Sequence, residues 1–538
     1  MPFASIVAAL RTLPIVLSAL VVLNGVWGSP VAAQVTAFKQ AVAEAASSHD
    51  QIAKFYRSNS YTPIWTGTGQ ADRDRRAALM RALSGAQTHG LPGGSYNVDQ
   101  LLTQMRNVRT TRDLGMVEVA LSLALVTYAR DLQSGILVPS KIDDGIVRTV
   151  NYTDSSAYLV GVAQNDPGQY LNGLAPQTRE YNALMKQKLR LEQLVADGGW
   201  GATVPSGKQK PGQSGNAVIK LRNRLIAMGY MTTSATRTFD GDIQKGVQKF
   251  QLEHGLEPDG VAGKGTISEI NVPAQARLKS VIVAMERERW LPRERGERHV
   301  LVNQTDFSAK IMDDDKVTFR TRSVIGKNTG DQRSPEFSDV MEHMIINPSW
   351  YVPRSIATKE YLPALRNNPN AVSHLIITDG AGRQVNRANV DFSSYSARNF
   401  PFDMRQPPST RNALGLVKFI FPNKHNIYLH DTPQKHLFSR ESRAFSHGCI
   451  RLAQPFEFAY TLLAKQTDDP KGQFHRILDS GQETKVLLDQ PIPVHLIYRT
   501  AISMARGGTE YRRDVYGRDA KIWAALAQAG VELGDVQG

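Results

Sequence analysis

The hydrophobic pattern of this chain changes once, close to residue 298, and that change limits the folds open to it. Before this point apolar residues recur at helical spacing, as in KQAVAEAASSHDQIAKFYRSN and MVEVALSLALVTYARDLQSG. After it, HVLVNQTDFSAKIMDDDKVTFRTRSVIG alternates apolar and polar residues between turn signals. Helices followed by strands predict a multidomain α+β protein.

The first 33 residues have the layout of an export signal. Arg11 is their only charged residue, the apolar run LPIVLSALVVL follows it, and small residues stand at Val31 and Ala33. This pattern predicts a signal peptide (1–33) that is cleaved after Ala33, and therefore a protein of the periplasm or cell envelope. A retained N-terminal membrane anchor is the alternative.

Residues 34–200 are expected to form a helical scaffold domain. Within it, MVEVALSLALVTY is apolar on almost every side, which predicts a helix at the centre of the core. The next segment, 201–215, reads GATVPSGKQKPGQSG. Its Gly, Pro, Ser and Lys residues predict an exposed linker.

A compact helical module is expected at 216–272. In it, Asp240 stands at a helix start, and Gly229 and Gly255 stand at helix ends, positions where these residue types are favoured. A connecting helix is expected at 278–297.

The β-rich domain is expected to cover 298–500, with a C-terminal extension at 501–538. A long insertion interrupts it at about 354–411. Because a long insertion inside a compact domain is usually a functional lid or disordered, we expect a lid over the site.

The chain is basic, with 64 Lys and Arg against 50 Asp and Glu and a net charge of +14. A basic exported protein can reside near anionic polymers or membrane surfaces. The positive charge is spread along the chain and no basic helix is interleaved with aromatics, so no nucleic-acid partner is expected.

Cys449, in FSHGCIRL, is the only cysteine of the chain. Exported proteins commonly pair their cysteines, and a single cysteine cannot form an internal disulfide. Composition alone leaves two readings, a buried small apolar residue or a reactive thiol.

Two histidines can activate this thiol. His447 stands two residues before it, and His430 lies 19 residues upstream at the end of an alternating strand, in KHNIYLHD. A cysteine beside a strand-borne histidine is an activated-nucleophile arrangement. Gly448 allows a sharp turn, after which loop amides can face a developing oxyanion. Arg451 either orients the loop, holds a substrate carboxylate or makes a surface salt bridge.

Two stretches resemble known families. The first, in the module at 216–272, resembles the three-helix peptidoglycan-binding module. The residues that carry this resemblance are Leu221, Leu225, Gly229, Tyr230, Phe250, Gln251, Gly255, Leu256, Asp259, Gly260, Val261, Gly263 and Thr266.

The second stretch, S-H-G-C-I-R-L preceded by Y-L-H-D-T-P, resembles the signature of L,D-transpeptidases with a YkuD-like catalytic domain. The segments NPSWYVPRSI, RNALG and FPN are similar to the long periplasmic, YcbB-like subclass. That subclass combines a helical scaffold, a peptidoglycan-binding module and a catalytic domain with a lid, so the resemblance implies the same architecture here.

The resemblance implies roles for the site residues. Cys449 is the nucleophile and His430 the general base, while His447, Gly448, Ser446 and Arg451 support the loop. Trp350, Tyr351 and Arg354 stand where the insertion leaves the β-rich domain, and they are expected to line the substrate groove together with Tyr428. Packing at a hinge is the alternative for the first three. Asp431 departs from the Gly or Ser common at its position in smaller members, so we expect the backbone carbonyl there, rather than a side chain, to orient the base.

The implied reaction forms 3→3 cross-links in peptidoglycan by acyl transfer from a tetrapeptide stem, with release of D-alanine. It requires no cofactor and no metal. Peptidoglycan stems and glycan strands are the expected partners, envelope proteins are further candidates, and carbapenems are expected to acylate Cys449. Three alternatives are an L,D-carboxypeptidase, a cysteine endopeptidase or amidase of peptidoglycan stems, and a wall-binding scaffold.

Overall fold

The computed structural model describes residues 30–292, 294–504 and 507–533. Most of the predicted signal peptide lies outside the described residues. Within the described part of the chain, no helix is both long enough and apolar enough to cross a membrane.

The N-terminal region is helical, as the sequence predicts. Its helix α5 (Thr111–Ser134) lies at the centre of the core, where Val119, Leu121 and Leu125 are buried. The helices of this region are α1 (Pro30–Ala45), α2 (Asp50–Ser58), α3 (Gln70–Ser84), α4 (Val98–Arg106), α5 (Thr111–Ser134), α6 (Pro139–Ile142), α7 (Ser155–Gln164), α8 (Pro167–Gly173) and α9 (Arg179–Ala196).

Helix α5 also carries a fully buried carboxylate, that of Glu118. It accepts hydrogen bonds from the backbone N–H groups of Ile64 (2.7 Å), Trp65 (3.2 Å) and Thr66 (2.8 Å), and from the Tyr56 hydroxyl (2.9 Å). The carboxylate thereby satisfies backbone N–H groups of a turn that lies outside regular secondary structure.

The second region contains three helices, α10 (Asn216–Ala227), α11 (Gly241–Glu253) and α12 (Lys264–Ile270). The Asp240 side chain caps α11 by accepting from the backbone N–H of Ile243 at 3.0 Å. Gly229 and Gly255 follow the ends of α10 and α11 in the left-handed conformation that glycine adopts without strain.

The segment 201–215, predicted as an exposed linker, is instead partly built into this module. Val204 is buried in the module core, and its backbone N–H and carbonyl both bond to the Asn271 side chain. Gln209 and Ala262 exchange backbone hydrogen bonds of 3.0 and 2.9 Å. The buried valine, the Asn271 side chain and isolated β-bridges therefore fix a segment whose composition is otherwise that of a linker.

The connecting helix is α13 (Ala274–Trp290), which begins earlier and ends earlier than the predicted range of 278–297. It starts directly after Pro273 and stops before Leu291-Pro292. The residue before a proline is disfavoured in helical conformation, so the helix cannot continue toward residue 297.

The third region is a mixed nine-stranded sheet in the order β10-β3-β11-β9-β8-β4-β12-β1-β2, and β2 also pairs with β3, which closes the sheet on itself. Helices α16 (Pro455–Leu463) and α17 (Pro470–Asp479) pack against it. The strands are β1 (Arg298–Asn303), β2 (Ser308–Asp313), β3 (Lys316–Gly326), β4 (Phe337–Ile346), β8 (Val417–Ile420), β9 (Leu429–His430), β10 (Ala444–Ser446), β11 (Ile450–Leu452) and β12 (Thr484–Ile497).

The insertion at 354–411 is folded and has its own apolar core, which includes Leu365, Ile377 and Phe400. Its sheet has the order β5-β7-β6. The elements in and beside it are β5 (Trp350–Tyr351), α14 (Arg354–Ile356), a π-helical turn (Ala357–Tyr361), α15 (Leu362–Asn367), β6 (Ile376–Thr378) and β7 (Asp403–Gln406).

The C-terminal segment returns to the helical region. It contains the hairpin β13 (Ala501–Ser503) and β14 (Thr509–Tyr511), followed by α18 (Arg518–Gln528). Ile522 and Leu526 of α18 are buried in the same core as α5. The structure thus confirms the predicted fold class: a helical N-terminal region, a three-helix module and a β-rich domain with an insertion.

Candidate active site

Cys449 lies between β10 and β11, in the Cys449 loop (residues 446–449). Gly448 makes the turn with φ of +113°, in the region that favours glycine. A Cβ at this position would come within 3.2 Å of Ile427 Cδ1. The backbone conformation therefore favours glycine immediately before the cysteine, and a larger residue would also press on Ile427.

Ser446 holds the two ends of this loop together. Its Oγ donates to the carbonyl of Cys449 at 2.6 Å and accepts from the N–H of Gly448 at 3.2 Å. The Gly448 N–H is therefore already engaged. The N–H of Cys449 has no hydrogen-bond partner among the described residues, which leaves it available to a ligand.

The Cys449 thiol is half-buried, and its Sγ lies 3.5 Å from the carbonyl oxygen of Asn426. Burial raises the pKa of the thiol to about 11, although hydrogen bonds from Tyr428 and the positive charge of Arg451 act in the opposite direction. At neutral pH the resting group is the thiol. Tyr428, predicted in the substrate groove, is thus brought against the sulfur itself.

His430 is buried at the end of β9, which runs parallel to β11 and places it opposite Arg451. Its Nδ1 donates to the backbone carbonyl of Asp431 at 2.5 Å. This bond leaves the lone pair on Nε2. Burial, assisted by the charge of Arg451, lowers the pKa of His430 to about 3, so the imidazole is neutral.

The Asp431 carboxylate has other partners. It accepts from the backbone N–H of Leu416 at 2.9 Å and from Lys435 Nζ at 2.5 Å. The expectation that a carbonyl at this position orients the histidine is confirmed, and the carboxylate acts instead as a structural acceptor.

The His447 side chain contacts the insertion. Its Nε2 lies 2.6 Å from Glu360 Oε1, and both side chains are partly exposed. Beside this pair, Lys359 and Asp331 form a second ion pair at 2.6 Å. Sequence reasoning singled out His447 but missed Glu360, because the two stand 87 residues apart and share no local pattern.

Two cavities are lined by residues of the Cys449 loop or of the strand that follows it. The Arg451 cavity, of about 430 Å³, is lined by Trp350, Tyr361, His374, Gln434 and Arg451 among others. Arg451 donates to Gln434 Oε1 at 2.6 Å, while its Nε is buried and without a partner among the described residues. Burial lowers the pKa of Arg451.

Tyr351 and Arg354, predicted beside Trp350, do not line this cavity. The Tyr351 side chain is 66% exposed. The Arg354 guanidinium lies 5.7 Å from the ring centroid of Phe400, inside the insertion. Trp350 is buried and packs edge-on against Tyr361, with 6.3 Å between ring centroids.

The second cavity, here called the His447 cavity, has a volume of about 530 Å³. His447 and Gly448 line it together with Arg333, Asp144 and Lys141, among others. It therefore joins the Cys449 loop to the N-terminal helical region. Among the described residues, no cluster of three or more His, Cys, Asp or Glu residues could hold a metal ion.

The fold and the site together describe a β-rich domain with a cysteine loop beside a strand-borne histidine. Residues 297–476 match the family described as "L,D-transpeptidase catalytic domain" (YkuD). Residues 214–270 match the family described as "Putative peptidoglycan binding domain", and residues 50–187 match a "Scaffold domain". The chain therefore contains an L,D-transpeptidase catalytic domain of the YkuD family together with a peptidoglycan-binding domain.

A curated relative from Haemophilus influenzae, described as "Putative L,D-transpeptidase", is 30% identical over 225 residues. The match covers 41% of this chain and 45% of the relative, so it spans about half the relative's length.

Two solved L,D-transpeptidase structures are also similar. That from Xylanimonas cellulosilytica is 15% identical, with a TM-score of 0.17, and covers 55% of this chain and 98% of its own. That from Stackebrandtia nassauensis is 14% identical, with a TM-score of 0.21, and covers 55% and 97%.

Proposed function

We propose that this protein forms 3→3 cross-links in peptidoglycan, with Cys449 as nucleophile and His430 as general base. The observation that carries the proposal is the setting of the thiol. The thiol lies against Tyr428, on a loop that the Ser446 side chain holds together, and the backbone N–H of Cys449 itself has no hydrogen-bond partner among the described residues. A nucleophile beside a free, fixed N–H suits attack on a carbonyl.

In the first step, His430 Nε2 accepts the thiol proton as the sulfur attacks the carbonyl of the third residue of a tetrapeptide stem. With the pKa of Cys449 raised to about 11 and that of His430 lowered to about 3, the resting pair is uncharged. Deprotonation is therefore coupled to attack rather than complete beforehand. The Cys449 N–H receives the negative oxygen, and D-alanine leaves with the proton from His430.

In the second step, an amine of another stem attacks the thioester, and the third residue of the donor becomes joined to that amine. Water in its place would yield a tripeptide, so the amine must be held in position. The two cavities offer separate places for the two stems. We assign the donor to the Arg451 cavity, where Trp350 supplies an apolar wall and Arg451 a cation, and the acceptor to the His447 cavity.

The remaining regions fit the same role. The three-helix module would hold the protein on glycan strands, and the insertion would act as a lid that reaches the Cys449 loop through Glu360 and His447. This arrangement supports membership of the long YcbB-like subclass and a location in the periplasm or cell envelope. Carbapenems, whose strained carbonyl resembles the donor, would acylate Cys449.

A carboxypeptidase that trims stems is the second candidate, because the same thioester can be hydrolysed. The test is to incubate the protein from residue 34 onward with disaccharide-tetrapeptides and to identify the products by mass spectrometry. Dimers that have lost D-alanine, absent with Cys449→Ala, are the expected result. Tripeptide alone would favour the carboxypeptidase, and no Cys449-dependent product would refute both.

A further inference from the structure

The Cys449 loop is held from behind by a residue outside its own motif. Ser334 is fully buried in the segment between β3 and β4. Its Oγ donates a hydrogen bond of 2.6 Å to the carbonyl oxygen of Gly448, although 114 residues separate the two.

The neighbours of Ser334 decide where its single hydroxyl proton goes. The backbone N–H of Gly326 donates to Ser334 Oγ at 2.9 Å, which directs the proton to Gly448. The Tyr516 hydroxyl accepts from the Ser334 N–H at 3.2 Å and donates to the Gly326 carbonyl at 2.6 Å. These hydrogen bonds form a closed ring, so the O–H bond of Ser334 has a single orientation.

This bond also fixes the direction of the Cys449 N–H. The carbonyl of Gly448 and the N–H of Cys449 belong to one planar trans peptide unit, in which they point in opposite directions. Anchoring the oxygen on the buried side therefore turns the N–H outward. That N–H has no hydrogen-bond partner among the described residues.

We propose that Ser334 is a positioning residue for acyl transfer at Cys449. Its hydroxyl aims the Cys449 N–H at the oxygen that becomes negative during attack on a carbonyl. Ser334 does not touch the substrate, and it acts through Gly448. This inference rests on the proposed role of Cys449 as an acyl-transfer nucleophile.

The C-terminal segment and the helical region hold Ser334 in turn. Arg518 donates to the Ser334 carbonyl at 3.0 Å and pairs with Glu336 at 3.3 Å and with Asp143 at 3.5 Å. Residues that precede and follow the β-rich domain in sequence therefore help to fix the orientation of the peptide plane before the cysteine.

The test compares two reactions of the same thiol. With p-nitrophenyl acetate, the sulfur forms a bond to the acetyl carbon, the bond from that carbon to nitrophenolate breaks, and the thiol proton passes through His430 to solvent. A negative oxygen develops in this reaction. With iodoacetamide, the sulfur displaces iodide at a saturated carbon and no such oxygen forms. For Ser334→Ala we expect the acetylation rate to fall about 10- to 100-fold, while the alkylation rate stays within about twofold. The loss is smaller than that for deleting an oxyanion donor, because the variant only misaligns the Cys449 N–H.

Two further variants sharpen the comparison. Ser323→Ala is the control. It removes a different fully buried hydroxyl, on β3, that has no partner among the described residues, and it should leave both rates unchanged. Ser334→Thr retains the hydroxyl and should recover most of the acetylation rate. Acetylation by Ser334→Ala within about twofold of wild type, or equal losses in both reactions, would overturn the proposal.

If Ser334→Ala does not fold, Tyr516→Phe provides the test. It removes the hydroxyl that accepts from the Ser334 N–H and donates to the Gly326 carbonyl, and so loosens the hydrogen-bonded ring while the Ser334 hydroxyl remains. It must show the same selective loss of acetylation, and equal rate changes in both reactions would again overturn the proposal. The ester probe contains no peptidoglycan. Failure of wild-type protein to form cross-links would therefore refute the proposed substrate and leave this measurement intact.

Discussion

The protonation state of Cys449 can be tested directly, because the chain has no other thiol. Burial raises the pKa of this thiol to about 11. At pH 7 about one molecule in 10⁴ then carries the thiolate, which is the form that reacts with iodoacetamide. The alkylation rate should rise about tenfold for each pH unit between about pH 6 and pH 9, without a plateau.

Tyr428→Phe supplies the matching perturbation. Hydrogen bonds from the backbone and from the side chain of Tyr428 oppose the rise of the Cys449 pKa, and this variant removes only the side-chain bond. A hydrogen bond to a charged group is worth about 1.5 kcal/mol or more, which corresponds to about one pKa unit. We therefore expect alkylation at a given pH to be about tenfold slower in this variant, with the same slope against pH.

The assay is mass spectrometry of the carbamidomethylated protein over time, with Cys449→Ala as the blank. A free small thiol measured in the same buffers corrects for changes in the reagent. A plateau below pH 8 in the wild-type protein would refute the reasoning, because it would mean that a thiolate–imidazolium pair already exists at rest. An unchanged rate in Tyr428→Phe would show that its hydroxyl does not stabilise the thiolate.

Three further variants test other parts of the structure. Glu118→Ala leaves three backbone N–H groups without their acceptor and should lower the free energy of unfolding by about 3 kcal/mol or more, measured by urea denaturation; an effect below about 1 kcal/mol would contradict this assignment. Gly448→Ala should slow acylation of Cys449 at least about tenfold, because a left-handed φ strains alanine by about 1–3 kcal/mol, whereas Gly481→Ala, also left-handed but in open space, should not. Glu360→Gln breaks a partly exposed pair with His447 and should change the cross-linking rate by no more than about fivefold, an effect that high salt should abolish.

The residues of the candidate site could be grouped from the sequence because they are close together along the chain. Cys449, Gly448 and Ser446 occupy one turn, and His430 lies on a neighbouring strand that a loop connects to it. The carbonyl at Asp431 could be named because its position follows directly from that of the histidine. Short loops and paired strands translate sequence proximity into spatial proximity, so local patterns suffice here.

The supporting residues could not be predicted in this way. Ser334 and Glu360 meet the loop across 114 and 87 residues, and Glu118 serves a turn more than 50 residues before it. Serine and glutamate are common on surfaces, so nothing in their surroundings along the sequence marks them. Their roles depend on which backbone groups lack partners, and only the tertiary structure decides that.

The segment GATVPSGKQKPGQSG illustrates a different limit. Its composition is that of a linker, yet one buried valine and several hydrogen bonds, among them the two between the backbones of Gln209 and Ala262, attach it to the module. Composition predicts how much apolar area a segment can bury, and here the area is small. It does not predict whether a neighbouring module provides a complementary groove for the few groups that are available.

The charged end of α13 shows why such distant partners matter to the site. Arg287 is buried, and it pairs with Glu336 of the β-rich domain and with Asp519 of α18. Buried ion pairs add little net stability compared with apolar packing, but removal of one partner leaves an uncompensated charge that costs about 3–5 kcal/mol. Charges of this kind therefore penalise every other orientation of the three regions. Glu336 stands two residues after Ser334, so the orientation that the ion pairs enforce is also the one that fixes the peptide plane before Cys449.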